Sequence, residues 1–202
     1  MSHGAQATDR RLLRRELRRE RAALPAATRR IAAQKVARHL AARGWLRPGK
    51  RIAFYCASGA ELSLDAALRI AQIHGCQLFF PRIIHSRNAL MTFSPLTGST
   101  RKNRYGIDEP LTRKRQHATR LDLILLPLLG FDRRGTRLGS GAGYYDRALA
   151  YRLQGKASRG ARLIGVAFAC QERTHISATS HDVPLDGIVT PDGIRLFSGE
   201  IT

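Results

Sequence analysis

The chain has few cysteines, few acidic side chains and no long apolar run, and each shortage removes a class of protein. Cys56, Cys76 and Cys170 stand far apart among 202 residues, with neither a CxxC pair nor a nearby histidine cluster. A disulfide scaffold and a zinc finger are therefore excluded. The three read as reduced, buried thiols, and a cytoplasmic location is the expectation. The longest apolar run, Leu121 to Leu129, is interrupted by Asp122 and Pro127 and is far too short to cross a bilayer. No membrane partner is expected. The first thirty residues carry nine arginines. Asp9, Glu16 and Glu20 lie among them and no apolar stretch follows, so the segment reads as part of the mature fold rather than a targeting peptide.

The acidic shortage sets the sign of the surface. There are 15 acidic side chains against 35 basic ones, almost all arginine, for a formal net charge of +20. Such a field draws polyanions, whether nucleic acid, anionic membrane or small substrates carrying phosphates and carboxylates. Scattered arginines can also reflect composition bias alone, so function has to be read from where particular arginines fall. The basic first helix has no interleaved aromatics and the chain carries no nucleic-acid motif, which leaves nucleic-acid binding as the weaker alternative.

The periodicity predicts two helices before any strand. "DRRLLRRELRRERAAL", from Asp9 to Leu24, is rich in helix formers, with Leu13, Leu17 and Leu24 on a sparse apolar stripe and a basic outer face. Arg10, Arg14, Arg18 and Arg21 recur at spacings of three and four and so line one side of it. After Pro25, a second amphipathic helix turns Ile31, Val36 and Leu40 inward and stops near Gly44. "KRIAFYCAS", "SLDAALRIAQIHG" and "CQLFFPRII" then read as strand, helix, strand, which implies a parallel pair with a right-handed crossover. "LDLILLPLL" reads as the central strand, because a parallel strand covered on both faces becomes a continuous apolar run. A helix is expected from Tyr144 to about Leu153, another buried strand in "RLIGVAFAC", and a last strand with a turn at Pro191 to Gly193. Residues 111–120 read as a solvated loop. The expectation is one three-layer α/β domain over residues 1–202, a mostly parallel central sheet flanked by helices, with basic N-terminal helices and residues 1–8 outside the ordered fold.

The candidate chemistry follows the central strand. Gly139, Gly141 and Gly143 alternate, which lets backbone N–H groups converge on an anion where side chains would block it, and a helix begins directly after them. The loop is neither a Walker A sequence nor a dinucleotide fingerprint. Arg133, Arg134, Arg137 and Arg147 surround it, and Asp146 offers a carboxylate for Mg²⁺; the plain alternative is that Asp146 only complements a helix dipole. "SHDVPLD" adds His181, Asp182 and Asp186, which could bind metal or simply build a turn. Glu61 follows the first strand, where open α/β sheets bind ligands. No nucleophilic triad or nucleophile elbow is present.

Taken together, "GFDRRGTRLGSGAGYYDRAL" at residues 130–149 resembles the signature of the 5-formyltetrahydrofolate cyclo-ligase family. The likeness extends to "RRLLRRELRRERAAL", "GAELSL", "FFPRI", "YGIDEP" and "HDVPLDGIVTPDG", from about Arg10 to Gly193. Leu64, Leu128 and Ala142 depart from the family pattern, and Arg10 stands where a lysine is common. The resemblance implies an ATP- and Mg²⁺-dependent ligase of one-carbon folate metabolism. It would close 5-formyltetrahydrofolate, with or without a polyglutamate tail, to 5,10-methenyltetrahydrofolate, releasing ADP and phosphate through an N5-iminium phosphate. It implies ATP contacts from Arg10, Arg11, Leu12, Leu13 and Arg14, and from Arg137 through Leu138, Gly139, Ser140, Gly141, Ala142, Gly143, Tyr144 and Tyr145. Arg137, Tyr144 and Tyr145 would be catalytic. Substrate would meet Cys56, Glu61 and Tyr105, and share Ser140, Gly141, Ala142, Gly143 and Tyr144 with ATP. Magnesium would bind Asp146 and Asp182. A monomer is expected. The alternatives still open are a nucleic-acid-binding protein and another ATP-dependent ligase or kinase on the same fold.

Overall fold

The computed structural model describes residues 3–85, 88, 90–96, 100–102, 108–112, 114–154 and 160–197. Two helices come first, α1 (His3–Ala23) and α2 (Ala26–Ala42). Helix α1 starts six residues before Asp9, because Ala5, Gln6 and Ala7 favour helix and no proline intervenes. It thus takes in part of the 1–8 stretch expected outside the ordered fold. Helix α2 buries Ala32, Ala33, Val36, Ala37 and Leu40, while Ile31 is 51% exposed rather than inward. Residues 32, 36 and 40 form one i, i+4 row with 33 and 37 beside it, and Ile31 falls off that stripe.

The strand, helix, strand unit is β1 (Arg51–Ala53), α3 (Asp65–Ile73) and β2 (Gln77–His85), with β1 and β2 parallel as expected. The edge strand β3 (Leu90–Pro95) returns antiparallel to β2. A small pair, β4 (Thr100–Lys102) and β5 (Asp108–Pro110), stands apart from the main sheet. Within the expected loop at 111–120, Gln116 exchanges two backbone hydrogen bonds with Phe93 and Ala118 is buried, so part of it closes the sheet edge.

The greasy run becomes β6 (Leu123–Pro127), followed by a short hairpin of β7 (Gly130–Phe131) and β8 (Arg137–Leu138). Then come α4 (Tyr144–Leu149), a 3-10 turn at Ala150–Gln154 where the helix was expected to continue, β9 (Arg162–Val166), β10 (Gly187–Thr190) and β11 (Gly193–Leu196). The last segment is therefore a hairpin about Pro191–Asp192 rather than one strand. The sheet order is β11-β10-β9-β6-β1-β2-β3, with β6 in the middle and only the two edge strands antiparallel.

Strand β6 shows why its sequence does not alternate between polar and apolar. Leu123 and Leu125 enter the core under α2 and α3, while Ile124 and Leu126 enter the core on the opposite face with Leu149 of α4. Both faces are dry, so both need apolar side chains. Helix α1 lies on neither face. Its Leu13 and Leu17 pack with Leu129, Leu138 and Ile176 in a third small cluster. That contact lays the helix across the carboxyl end of β6, where the glycine loop begins.

Candidate active site

Because Leu17 is fully buried against Leu129 and Leu138, the neighbouring arginine stripe of α1 has to face the loop that follows β8. The expected basic outer face is there in Arg11, Arg15 and Arg19, but Arg10 and Arg14 are half-buried and Arg21 is buried, and Arg18, though exposed, also bonds the loop. Arg10 donates to Asp182 Oδ2 and to the Ser177 carbonyl, each at 2.6 Å. Arg14 Nε donates to the Gly139 carbonyl at 3.0 Å and Arg18 to the Ser140 carbonyl at 3.1 Å. Arg21 reaches the Leu128 carbonyl at 3.4 Å. Of the other N-terminal candidates, Leu13 packs in the small core, whereas Arg11 and Leu12 are exposed.

Helix α1 thus holds the Gly139 and Ser140 carbonyls, and Arg147 N takes that of Gly143 at 3.1 Å. Among the described residues, none accepts from the N–H groups of Ser140, Gly141, Ala142 or Gly143. Gly141 and Gly143 have φ of 108° and 71°, a region that side-chain-bearing residues rarely adopt, and a Cβ on Gly143 would lie 2.7 Å from Arg147 Nη1. Arg147 itself donates back to the Ala142 carbonyl at 3.2 Å. Guanidiniums and free amides thus converge on one concave loop, which suits a phosphate chain.

Of the four arginines expected to surround this loop, Arg137 and Arg147 do so. Arg133 pairs with Glu172 at 3.2 Å and is largely exposed, and Arg134 contacts His175. Arg137 is 3% exposed; it donates to the Val183 carbonyl at 3.3 Å and is hydrogen-bonded to Asp146 Oδ1. That same carboxylate oxygen accepts from Val183 N at 3.4 Å, which ties Asp146 to the residue next to Asp182. Burial raises the Asp182 pKa, but the Arg10 hydrogen bond and the Thr179 amide outweigh it, so the carboxyl stays below its ordinary value. His181 is exposed. Asp186 belongs elsewhere, held by Arg152 and by Leu163 N at 2.7 Å.

Among the described residues no three His, Cys, Asp or Glu side chains gather into a metal cluster. Magnesium seldom uses one. It takes one or two carboxylates and fills its octahedron with water and substrate phosphates. Asp146 on α4 and Asp182, one residue before the Val183 amide that bonds Asp146, supply two carboxylates of that kind.

The other half of the site is a cavity of about 500 Å³ at the end of β1, lined by Phe54, Tyr55, Cys56, Glu61, Leu64 and Phe80 among others. Phe54 and Phe80 stack with centroids 6.3 Å apart, giving an apolar wall suited to a flat heterocycle. Tyr55 donates to the Leu62 carbonyl at 2.6 Å and fixes the turn. Leu64, which cannot cap α3, is replaced in that duty by Ser63, whose Oγ accepts from Asp65 N at 3.0 Å. Tyr145 follows the loop at the start of α4 and is half-buried. Burial pushes its phenol well above the usual value, and it feels the charges of Glu61, Arg137 and Cys56. None of the three cysteines is in a disulfide, and all are half-buried rather than fully buried. Tyr105 lies outside the described residues.

Arg18, Arg21, Phe54 and Phe80 were not among the expected site residues. The first two continue the spacing of Arg10 and Arg14, so the signal was present. The phenylalanines belong to strand sequences that read equally well as core.

The 5-formyltetrahydrofolate cyclo-ligase family model matches residues 6–191. The chain is 30% identical over 182 residues to the 5-formyltetrahydrofolate cyclo-ligase of Haemophilus influenzae, covering 88% of this chain and 95% of that one. It is 28% identical to the mouse enzyme of the same name, covering 89% and 92%. The solved structure of Aquifex aeolicus 5,10-methenyltetrahydrofolate synthetase superimposes with a TM-score of 0.79 at 25% identity, covering 96% of this chain and 95% of that one. The synthetase from Mycoplasma pneumoniae gives 0.72 at 26% identity, covering 91% and 99%.

Proposed function

This chain belongs to the 5-formyltetrahydrofolate cyclo-ligase family, and from that membership we propose that it converts 5-formyltetrahydrofolate to 5,10-methenyltetrahydrofolate with cleavage of ATP to ADP and phosphate. The observation that supports this most is the presence of two unlike half-sites, an arginine-lined loop and an aromatic cavity, with Tyr145 feeling the charge of Arg137 from the one and of Glu61 from the other. A kinase or ligase for another acceptor would use the first and have no need of the second.

In this reading the triphosphate lies along the glycine loop, with its charge met by Arg10, Arg14, Arg18, Arg137 and Arg147. Phosphoryl transfer needs such positioning and neutralisation more than an acid–base pair, in keeping with the missing triad. The heterocycle lies in the cavity against Phe54 and Phe80, with Glu61 and Cys56 at its edge. The formyl oxygen then faces the γ-phosphate. An oxygen–phosphorus bond forms as the bond to ADP breaks. N10 next attacks the activated carbon and gives up its proton to the departing phosphate or to water, and the carbon–oxygen bond breaks with loss of phosphate. Arg137 is placed to stabilise the charge that develops on the transferring group, and Tyr144 and Tyr145 exclude water from it. A magnesium ion held by Asp146, Asp182 and phosphate oxygens would supply further neutralisation of the triphosphate. Tyr105 completes the substrate contacts in this proposal.

No helix among the described residues is long and apolar enough to cross a membrane, and three cysteines outside any disulfide suit a reducing cytoplasm. We assign the protein there as a monomer. The deciding experiment mixes purified protein, MgATP and 5-formyltetrahydrofolate and follows the methenyl chromophore. ATP-dependent growth of that absorbance is expected. None at high enzyme concentration would refute the assignment, and growth without ATP would refute the phosphorylated intermediate.

A further inference from the structure

Arg21 closes the inward stripe of α1, and it is bonded unlike the others. Although it is 9% exposed, its Nε has no partner. Its Nη1 reaches the Leu128 carbonyl only at 3.4 Å. A buried guanidinium that serves as a clamp is ordinarily saturated with acceptors, as Arg10 is on Asp182 and Ser177. Arg21 is a costly cation in a place where an apolar side chain would pack as well, so its charge needs another explanation.

The nearest carboxylate supplies one. Arg21 Nη1 lies 3.9 Å from Glu61 Oε1, too far for a hydrogen bond but a strong charge contact away from bulk water. Glu61 Oε2 accepts from Ser58 N at 3.0 Å, and the residue lines the cavity beyond. The other groups facing it are unhelpful to its charge. The phenol of Tyr55 is buried near it and the half-buried Tyr145 phenol adds no positive charge, and burial alone pushes the Glu61 pKa up, with the Ser58 amide and Arg21 opposing that push. Among the described residues, Arg21 is the one cation in that opposition.

We propose that Arg21 is a positioning residue for folate: its guanidinium keeps the Glu61 carboxylate charged and turned to the cavity, where it accepts N–H groups of the substrate heterocycle. This rests on the function proposed above. It also makes α1 a shared wall, since Arg10, Arg14 and Arg18 serve the phosphate loop from the same stripe whose end serves the cavity.

The test is steady-state kinetics on full-length Arg21→Gln, Arg21→Lys, Glu61→Gln and the Arg21→Gln/Glu61→Gln double variant, with Arg21→Met replacing Arg21→Gln if circular dichroism shows the latter unfolded. KM for 5-formyltetrahydrofolate should rise about tenfold in Arg21→Gln, the scale of one charge-assisted contact. KM for ATP should stay within about twofold. Arg21→Lys should recover most of the loss, and the double variant should be no worse than Glu61→Gln alone. An unchanged folate KM, an equal rise in both KM values, or additive losses in the double variant would each overturn the proposal. If wild type itself forms no methenyl product, the proposed function fails instead, so the two failures are distinguishable.

Discussion

Asp146 and Arg137 hold each other in place as well as facing the ligand loop, and that double duty changes what a substitution at Asp146 should do. Arg137 is 3% exposed and its carboxylate partner is Asp146. An asparagine keeps an oxygen to accept the Arg137 hydrogen bond while removing the charge that magnesium needs. Asp146→Asn should therefore lower kcat by about a hundredfold or more with little change in melting temperature. Asp146→Ala leaves the guanidinium buried and uncompensated, and should cost about 3–5 kcal/mol of stability besides. Turnover with titrated magnesium, read beside thermal melts, separates the two effects. Near-wild-type turnover in Asp146→Asn would reduce Asp146 to a support for Arg137. From sequence, Asp146 could be read only as a ligand or a helix-start residue. Its third role was hidden because Arg137, nine positions earlier, has no helical spacing to betray the contact.

At the level of elements, the glycine loop works because a helix from the far end of the chain takes up its carbonyls. Arg14 and Arg18 bond Gly139 and Ser140, and among the described residues none accepts from the amides of residues 140–143; in the proposed function these amides serve the phosphates. Gly141 is the residue that permits this turn, with φ of 108°. An alanine there is strained although space exists, since its Cβ would meet nothing nearer than Arg14 at 3.7 Å. Gly141→Ala should cost about 1–3 kcal/mol and raise KM for ATP about tenfold by shifting the amides. Gly139→Ala, whose Cβ would approach only Arg137 Nη1 at 4.0 Å, should cost less. Urea melts and ATP titrations of the pair check this, and equal effects would show that backbone conformation is not the cause. The loop itself was legible in the sequence, as was β6, whose unbroken apolar run could only be a doubly covered strand. The direction of the α1 stripe was not legible. A helix with leucines at 13 and 17 and arginines on most other positions presents two basic faces, and only the seat of Leu17 on Leu129 and Leu138 decides which of them turns inward. Ile31 misled for a related reason, because α2 buries alanines instead.

Across the whole molecule, a net charge of +20 exceeds what the site uses. Surface pairs such as Arg173 with Glu16 and Glu20 and Arg195 with Glu172 are already cancelled in that sum and contribute little stability. The exposed row Arg11, Arg15 and Arg19 on α1 lies on the same helix as the arginines assigned to phosphate in the proposed function, and under that proposal it adds to the field MgATP would meet on approach. Charges of that kind speed encounter and are screened by salt, whereas the buried Arg137 is screened much less. Raising ionic strength from about 0.01 M to about 0.3 M shrinks the Debye length from roughly 30 Å to under 10 Å. Over that range kcat/KM for MgATP should fall about tenfold while kcat stays within about twofold. Replacing Arg11, Arg15 and Arg19 together with glutamine should flatten the dependence without touching kcat. A parallel fall in kcat would mean that salt disrupts the site rather than the approach to it. The same titration weighs the nucleic-acid alternative. A polyanion binder would hold RNA with a steep salt slope and show no ATP-dependent turnover, whereas a folate ligase with a surplus field would bind RNA loosely, release it as salt rises, and keep its kcat throughout.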